Sequence, residues 1–295
     1  MQDHIESGIT YHPSFAARVA RHTLPWLRRA LPSRWYQASY ERLYRGYKAL
    51  LRAGYLPRAS LAALGGDKTA AARARLVYRL LPYTMGGRRA LENAFDVVAL
   101  MAQRKIEGAL VECGVAQGGT SAMMAMANRE LGGPARPSWL FDSYEGLPDP
   151  TAADYENGKV GEVIQPIGKG ACLGTVEQVE HLMFDLLRQP RNDVHLVKGW
   201  FQDTLPVHGA GIGPIAVLRL DGDWYESTKV PLEALYGQVV PGGCVIVDDY
   251  ATCFGSRRAT DEFRAGRGIT APLIPDGRGG AWFEKSARSS APVQA

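Results

Sequence analysis

The chain has 295 residues, of which 46% are hydrophobic and 22% charged, and a formal net charge of +4. That length holds one large domain or two ordinary ones, and the apolar fraction excludes a disordered tail. No apolar run reaches the roughly 18 residues of a membrane span, and the N-terminus MQDHIESGIT lacks the basic-then-apolar pattern of a secretory signal. A cytoplasmic location is therefore expected. Cys113, Cys172, Cys244 and Cys253 are expected as reduced thiols, because they show neither C-x-x-C pairing nor metal-type spacing with histidine.

Charge is unevenly distributed along the chain. Residues 1–100 carry 16 Lys/Arg against 6 Asp/Glu, whereas residues 101–295 carry 18 against 24. A basic front and an acidic body point to separate roles. In ASYERLYRGYKALLRAGYL, the residues Tyr40, Leu43, Tyr44, Tyr47, Leu50 and Leu51 recur at helical steps and form one apolar stripe, with Arg42, Arg45, Lys48 and Arg52 between them. Pro25, Pro32 and Pro57 are expected to divide this region into short helices. Residues 1–80 are expected to be a helical extension: a packed cap with a solvated basic face. An oligomer interface, a cover over an acceptor, or a surface that leans on anionic membrane or glycan are the alternatives.

A longer helix, RRALENAFDVVALMAQRK, leads into the body, taken as residues 81–288, and residues 289–295 are a flexible tail. From residue 108 short apolar runs (GALVECGV, SWLFDSY, VHLVKG, IAVLRLDGD, GCVIVDDY) alternate with helical stretches. That alternation predicts an α/β fold, a mostly parallel sheet covered by helices on both faces. The end, ITAPLIPDGRGGAWFEKS, predicts two strands joined by a Gly-rich turn, so the sheet finishes antiparallel. The segment from Asp149 to Cys172 reads as a mobile loop able to close over a site.

Ligands of such sheets bind beyond the carboxyl ends of the strands. The first strand ends in VECGVAQGGTS, where Gly114, Gly118 and Gly119 permit a tight turn and close approach of backbone N–H groups to a ligand. The spacing G-x-x-x-G-G departs from the G-x-G-x-x-G dinucleotide pattern and argues against a nicotinamide enzyme. Asp142 ends the second strand, where an acidic side chain can accept both ribose hydroxyls or merely cap a turn. Trp200 and Phe201 after the third strand suit either a flat base or the core. Asp221 and Asp223 end one strand, and Asp248 and Asp249 end the next. If those strands are neighbours, the crowded carboxylates need a cation. Mg²⁺ suits an all-oxygen set with no His or Cys nearby.

The blocks ECGVAQGGTS, LFDSYEGLP, VKGWFQDTLP, LRLDGDWYEST, PGGCVIVDDY and RRATDEFR, in this order, resemble the macrocin O-methyltransferase (TylF-like) family. The resemblance runs from about LPYTMGG to AWFEK. It implies a class I methyltransferase (Rossmann-like) fold and an S-adenosyl-L-methionine- and Mg²⁺-dependent O-methyltransferase acting on a sugar hydroxyl of a glycoside or bacterial glycan. Gly114, Gly118, Gly119, Thr120 and Ser121 are then expected around the methionine part of the donor, Asp142 at its ribose and Trp200 by its adenine. Glu112, Ser143, Gly199 and Asp221 are further expected to bind the donor. Asp221, Asp248 and Asp249 are the metal ligands implied, and Asp223 the general base, set apart from the ligands by strand alternation. The acidic cluster argues against nucleic acid as a partner, and a homo-oligomer is expected. A catechol-type acceptor, or a non-catalytic scaffold docking on a membrane or polyanion, are the competing readings.

Overall fold

The computed structural model describes residues 8–11, 23, 26, 29, 32–162 and 169–286. Its centre is a seven-stranded sheet in the order β3-β2-β1-β4-β5-β7-β6. The strands are β1 (Ala109–Cys113), β2 (Ser138–Asp142), β3 (Val194–Lys198), β4 (Ile215–Leu220), β5 (Val239–Val247), β6 (Ile274–Pro275) and β7 (Ala281–Glu284). The first five run parallel, while β7 is antiparallel to β5 and β6 to β7, as the sequence predicts. Every residue of β1 and β4 is buried, because helices cover both faces and an alternating pattern has no solvent side to serve.

On one face lie α3 (Lys68–Leu80), α4 (Gly87–Gln103) and α5 (Gly119–Glu130); on the other lie α7 (Phe201–Ile212), α8 (Tyr225–Leu235) and α9 (Phe254–Gly266). Also on the first face, α6 (Val176–Glu180) continues into a wider π-type turn over His181–Leu186. Asp67 starts α3 by accepting the Ala70 N–H at 2.8 Å, satisfying one of the unpaired donors of the first turn. Strand order reverses between β1 and β4, and the crevice at their carboxyl ends is where this topology places ligands.

The front of the chain departs from expectation in two ways. Pro57 does not divide a helix. The break falls at Gly54, between α1 (Ser33–Ala53) and α2 (Tyr55–Leu64), and Pro57 occupies the first turn of α2, where its missing N–H costs nothing. Second, the apolar stripe is split. Leu51 packs on the core, whereas Leu43 and Leu50 are 65% and 78% exposed. Pro25, the side chains of Tyr40 and Tyr44, and residues 289–295 lie outside the described residues.

The inner side of these helices is firmly attached. Lys48 donates to the Thr84 carbonyl at 2.7 Å and Arg52 to the Tyr78 carbonyl at 2.8 Å. The Tyr55 hydroxyl donates to buried Glu92 at 2.5 Å. Tyr55→Phe is expected to cost about 1.5–3 kcal/mol, the range for a hydrogen bond to a charged group, read as a lower denaturant midpoint at unchanged slope. Among the described residues no helix is long and apolar enough to cross a membrane.

Candidate active site

The donor side of the crevice grows from the end of β1. Gly114 has φ +95°, and a Cβ there would run into the backbone carbonyl of Asp221. Only glycine combines that conformation with that approach. The Asp221 N–H in turn donates to the Cys113 carbonyl at 2.8 Å. The glycine loop and the LDGD segment are thus fastened side by side. Val115 and Ala116 donate their N–H groups to Asp142 Oδ2 at 2.7 and 2.9 Å, and Tyr144 N–H donates to Oδ1 at 2.7 Å. Asp142 therefore ties the first loop to the second strand and keeps acceptor capacity to spare, since a carboxylate offers about four lone-pair sites.

Gly118, at φ +83°, leads into α5, and Gly119 packs against the backbone of Tyr83 and Thr84. Thr120 and Ser121 are buried in the first turn of α5, at the positive end of its dipole. Ser121 Oγ donates to the carboxylate of Glu112, which lies beneath the loop with only 1% exposed. Ser143 accepts the Glu145 N–H at 3.1 Å. Gly199, at φ +142°, donates its N–H to the Asp142 carbonyl at 2.9 Å. Phe201 packs on the core, while half-buried Trp200 caps the start of α7 and lies outside the core clusters.

The acidic side follows from the pairing of β4 with β5. Leu220 is in register with Val247, so Asp221 and Asp248 emerge together. One oxygen from each of Asp221, Asp248 and Asp249 lies within 4.8 Å of the others. Asp248 and Asp249 are buried and Asp221 is partly open. Asp249 Oδ1 accepts from Thr252 Oγ1 at 3.0 Å, but its Oδ2 is buried with no partner among the described residues. An orphaned buried carboxylate oxygen is costly, and a hard cation relieves it. Burial, with Asp223, Asp221 and Asp248 adding to it, pushes the Asp249 carboxyl well up.

Two arginines that sequence reasoning did not single out hold this cluster together. Arg219, with 1% of its side chain exposed, reaches Glu112 Oε1 at 2.5 Å, Asp221 Oδ2 at 2.8 Å and Asp248 Oδ1 at 2.7 Å. Arg278, from the β6–β7 turn, contacts Asp248 Oδ2 and approaches Asp249 Oδ1 at 3.9 Å. Burial alone would raise Asp248, but the two guanidinium groups outweigh it and hold that carboxyl below its ordinary value. Burial pushes Glu112 up to about 7 despite Arg219. The signal for Arg219 was one charge inside the apolar run IAVLRL. Arg278 gave none.

Asp223 differs from the picture of an alternating strand. β4 stops at Leu220, and Asp223 sits in the following loop at φ +61°, a conformation uncommon for a residue with a Cβ. That backbone turn, rather than the pleat, separates its carboxylate from Asp221. Burial, followed by the Asp221 charge, pushes Asp223 up to about 7. The expectation that no cysteine lies near is also corrected. Cys253 Sγ stands 3.6 Å from Asp223 Oδ1 and groups with Asp223 and Asp249 within 4.8 Å. Burial, then Asp249 and Asp223, push this thiol well up, so it stays protonated and donates.

This geometry has close relatives. Residues 52–285 match the family described as Macrocin-O-methyltransferase (TylF). The chain is 38% identical over 214 residues to the 8-demethyl-8-(2,3-dimethoxy-alpha-L-rhamnosyl)-tetracenomycin-C 4'-O-methyltransferase of Streptomyces olivaceus, covering 72% of this chain and 80% of that protein. It is 36% identical over 208 residues to the demethyldecarbamoylnovobiocin O-methyltransferase of Streptomyces niveus, covering 69% and 76%. The solved O-methyltransferase NovP superposes with a TM-score of 0.60 at 36% identity, covering 69% of this chain and 82% of that one. With its glycine loop, acidic strand ends and parallel sheet all inside the matched span, the chain belongs to the macrocin-O-methyltransferase family of S-adenosylmethionine-dependent O-methyltransferases.

Proposed function

We propose that this enzyme methylates a sugar hydroxyl of a glycoside or glycan, with Mg²⁺ held by Asp221, Asp248 and Asp249 and with Asp223 as general base. The observation that carries the reading is the fastening of Gly114 to Asp221, which makes the donor loop and the acid cluster walls of one crevice. The two curated relatives named above support a glycoside acceptor, the first being named for a rhamnosyl-tetracenomycin.

The residues fit the metal. Three carboxylates converge, their oxygens are hard donors, and Asp249 Oδ2 has no other partner among the described residues. Bound there, Mg²⁺ would make a ligated hydroxyl more acidic and fix its orientation. S-adenosylmethionine supplies the methyl group on a sulfonium, for which Asp142, Gly114, Gly118, Gly119 and the first turn of α5 form the seat. Asp223 takes the hydroxyl proton, and its raised affinity for protons suits a base working near neutrality. The Cys253 thiol, donating to Oδ1, holds the carboxylate in one orientation. Arg219 bonds both Asp221 and Asp248 and favours their charged forms, opposing the burial that raises Asp221 and helping to hold Asp248 below its ordinary value.

Treatment with EDTA is expected to abolish mass-detected methyl transfer while calorimetric donor binding persists, and Asp248→Asn is expected to weaken Mg²⁺ binding at least about tenfold. Full transfer in chelator would overturn the metal role. Acceptor profiling separates the two chemistries: turnover of catechols with none of glycosides would replace the sugar by a phenol.

A further inference from the structure

The turn after β5 brings a thiol to two carboxylates of the crevice. Cys253 N–H donates to the Asp249 carbonyl at 3.0 Å, which closes the turn and sets these two residues side by side. Asp223 reaches them from the β4–α8 loop, whose path is pinned where the Trp224 indole N–H donates to the Pro148 carbonyl at 2.9 Å. One ligand atom from each of Asp223, Asp249 and Cys253 lies within 4.8 Å of the other two. The three residues are 8%, 6% and 1% exposed, so each is more than nine-tenths buried. Two observations mark this group as a site for a ligand. Asp249 Oδ2 is buried with no partner among the described residues, and the neighbouring charge that bears on this carboxylate most strongly is Asp223, ahead of Asp221 and Asp248. Cys253 Sγ and Asp223 Oδ1 stand 3.6 Å apart. Two ligands of a tetrahedral zinc ion, with sulfur at about 2.3 Å and oxygen at about 2.0 Å, stand about 3.5 Å from each other. The thiol–carboxylate edge already has that span.

We propose that Asp223, Asp249 and Cys253 form a second cation site, one for a thiophilic divalent ion of the zinc type, which shares Asp249 with the Mg²⁺ set. Sulfur makes the selection: a thiolate suits Zn²⁺, whereas Mg²⁺ keeps to oxygen ligands. On binding, the Cys253 S–H bond breaks, its proton leaves to solvent and the sulfur electron pair forms the metal–sulfur bond, with no change of oxidation state. Three protein ligands leave the fourth position to water. The occupied site engages Asp223 and Asp249 together, so methyl transfer stops until the ion is withdrawn. That consequence rests on the proposed role of Asp223 as base; the site itself does not.

The test is titration of the full chain, reduced and freed of Mg²⁺, with Co²⁺ and then with Zn²⁺. Co²⁺ is expected to give a thiolate-to-cobalt absorption band in the near ultraviolet, and Zn²⁺ to erase it by displacement. Histidine and carboxylate ligands give no such band, so cobalt held elsewhere by them stays silent. Cys253→Ala is expected to abolish the band. Cys172→Ser is expected to keep it, although Cys172 packs against the same small apolar cluster. Asp223→Asn is expected to weaken calorimetric Zn²⁺ binding at least about tenfold, since loss of a ligand costs no less than loss of a group that orients one. Equal binding of S-adenosylmethionine by parent and variants shows that they are folded, and the Asp223→Asn result decides should Cys253→Ala not fold. No band, a band that survives Cys253→Ala, or Zn²⁺ binding unaltered by Asp223→Asn would overturn the proposal. Failure of the base reading looks different: the cobalt band is intact, yet Asp223→Asn transfers methyl at the parent rate.

Discussion

Asp223→Asn is expected to lower kcat by about 10²–10⁴-fold, the usual contribution of a positioned general base, while leaving donor and Mg²⁺ affinity nearly unchanged. The substitution is well suited to the site. Asp223 sits at φ +61°, and Asn adopts that conformation as readily as Asp, so the loop keeps its path. The side-chain oxygen that accepts from Cys253 is also retained. What disappears is the ability to take a proton. If Asp223 were instead a metal ligand, Mg²⁺ affinity would fall together with kcat, and calorimetry of the variant with Mg²⁺ separates the two. An unaltered kcat would remove Asp223 from the chemistry altogether. Cys253→Ala removes only the thiol that orients the carboxylate, and a smaller loss in kcat is expected from it.

Arg219→Met is the second large effect. The side chains are similar in bulk, so the change isolates the charge. Without it, three carboxylates lose their shared partner inside the protein. Glu112, already pushed up to about 7, can take up a proton and escape most of the penalty. Asp221 is partly open to water. The cost therefore falls on Asp248, which has 3% of its side chain exposed and keeps only Arg278. Breaking a buried pair from one side typically costs about 3–5 kcal/mol, and a loss in that range is expected in urea unfolding without Mg²⁺. Mg²⁺ should then stabilise the variant more than the parent, because a cation that binds only the native state now also replaces the missing charge. Saturation at 100 times Kd is worth about 2.7 kcal/mol. A loss below about 1 kcal/mol, with equal Mg²⁺ dependence in both proteins, would show that Arg219 is not the counter-ion that holds the cluster.

Much of the sheet, and the strand ends that carry the candidate site residues, were readable because their signals are local. An apolar run such as GCVIV extends because it is buried on both faces, and it stops where Asp or Gly makes extension unfavourable. Gly114, Asp142, Asp221 and the Asp248–Asp249 pair all stand at such stops. The same locality explains the misses. Pro57 reads as a breaker from composition, yet its effect depends on where the first turn of α2 begins. The stripe on α1 reads as a buried face from its period, yet period does not say which side meets the body.

The grouping of the site was decided by three-dimensional pairing. Arg219 meets Glu112 because β1 and β4 pair in that register, and it meets Asp248 because β5 is the next strand over. Arg278 arrives from the hairpin that β7 brings back along β5, and Cys253 from the turn before α9. Sequence order carried the identity of the acidic residues and the turns that present them, since those depend on one residue and its neighbours. Which charges offset which, and which face of the front helices stays open, depended on distances between segments up to 107 residues apart. Electrostatic energy falls with separation in space and takes no account of separation along the chain.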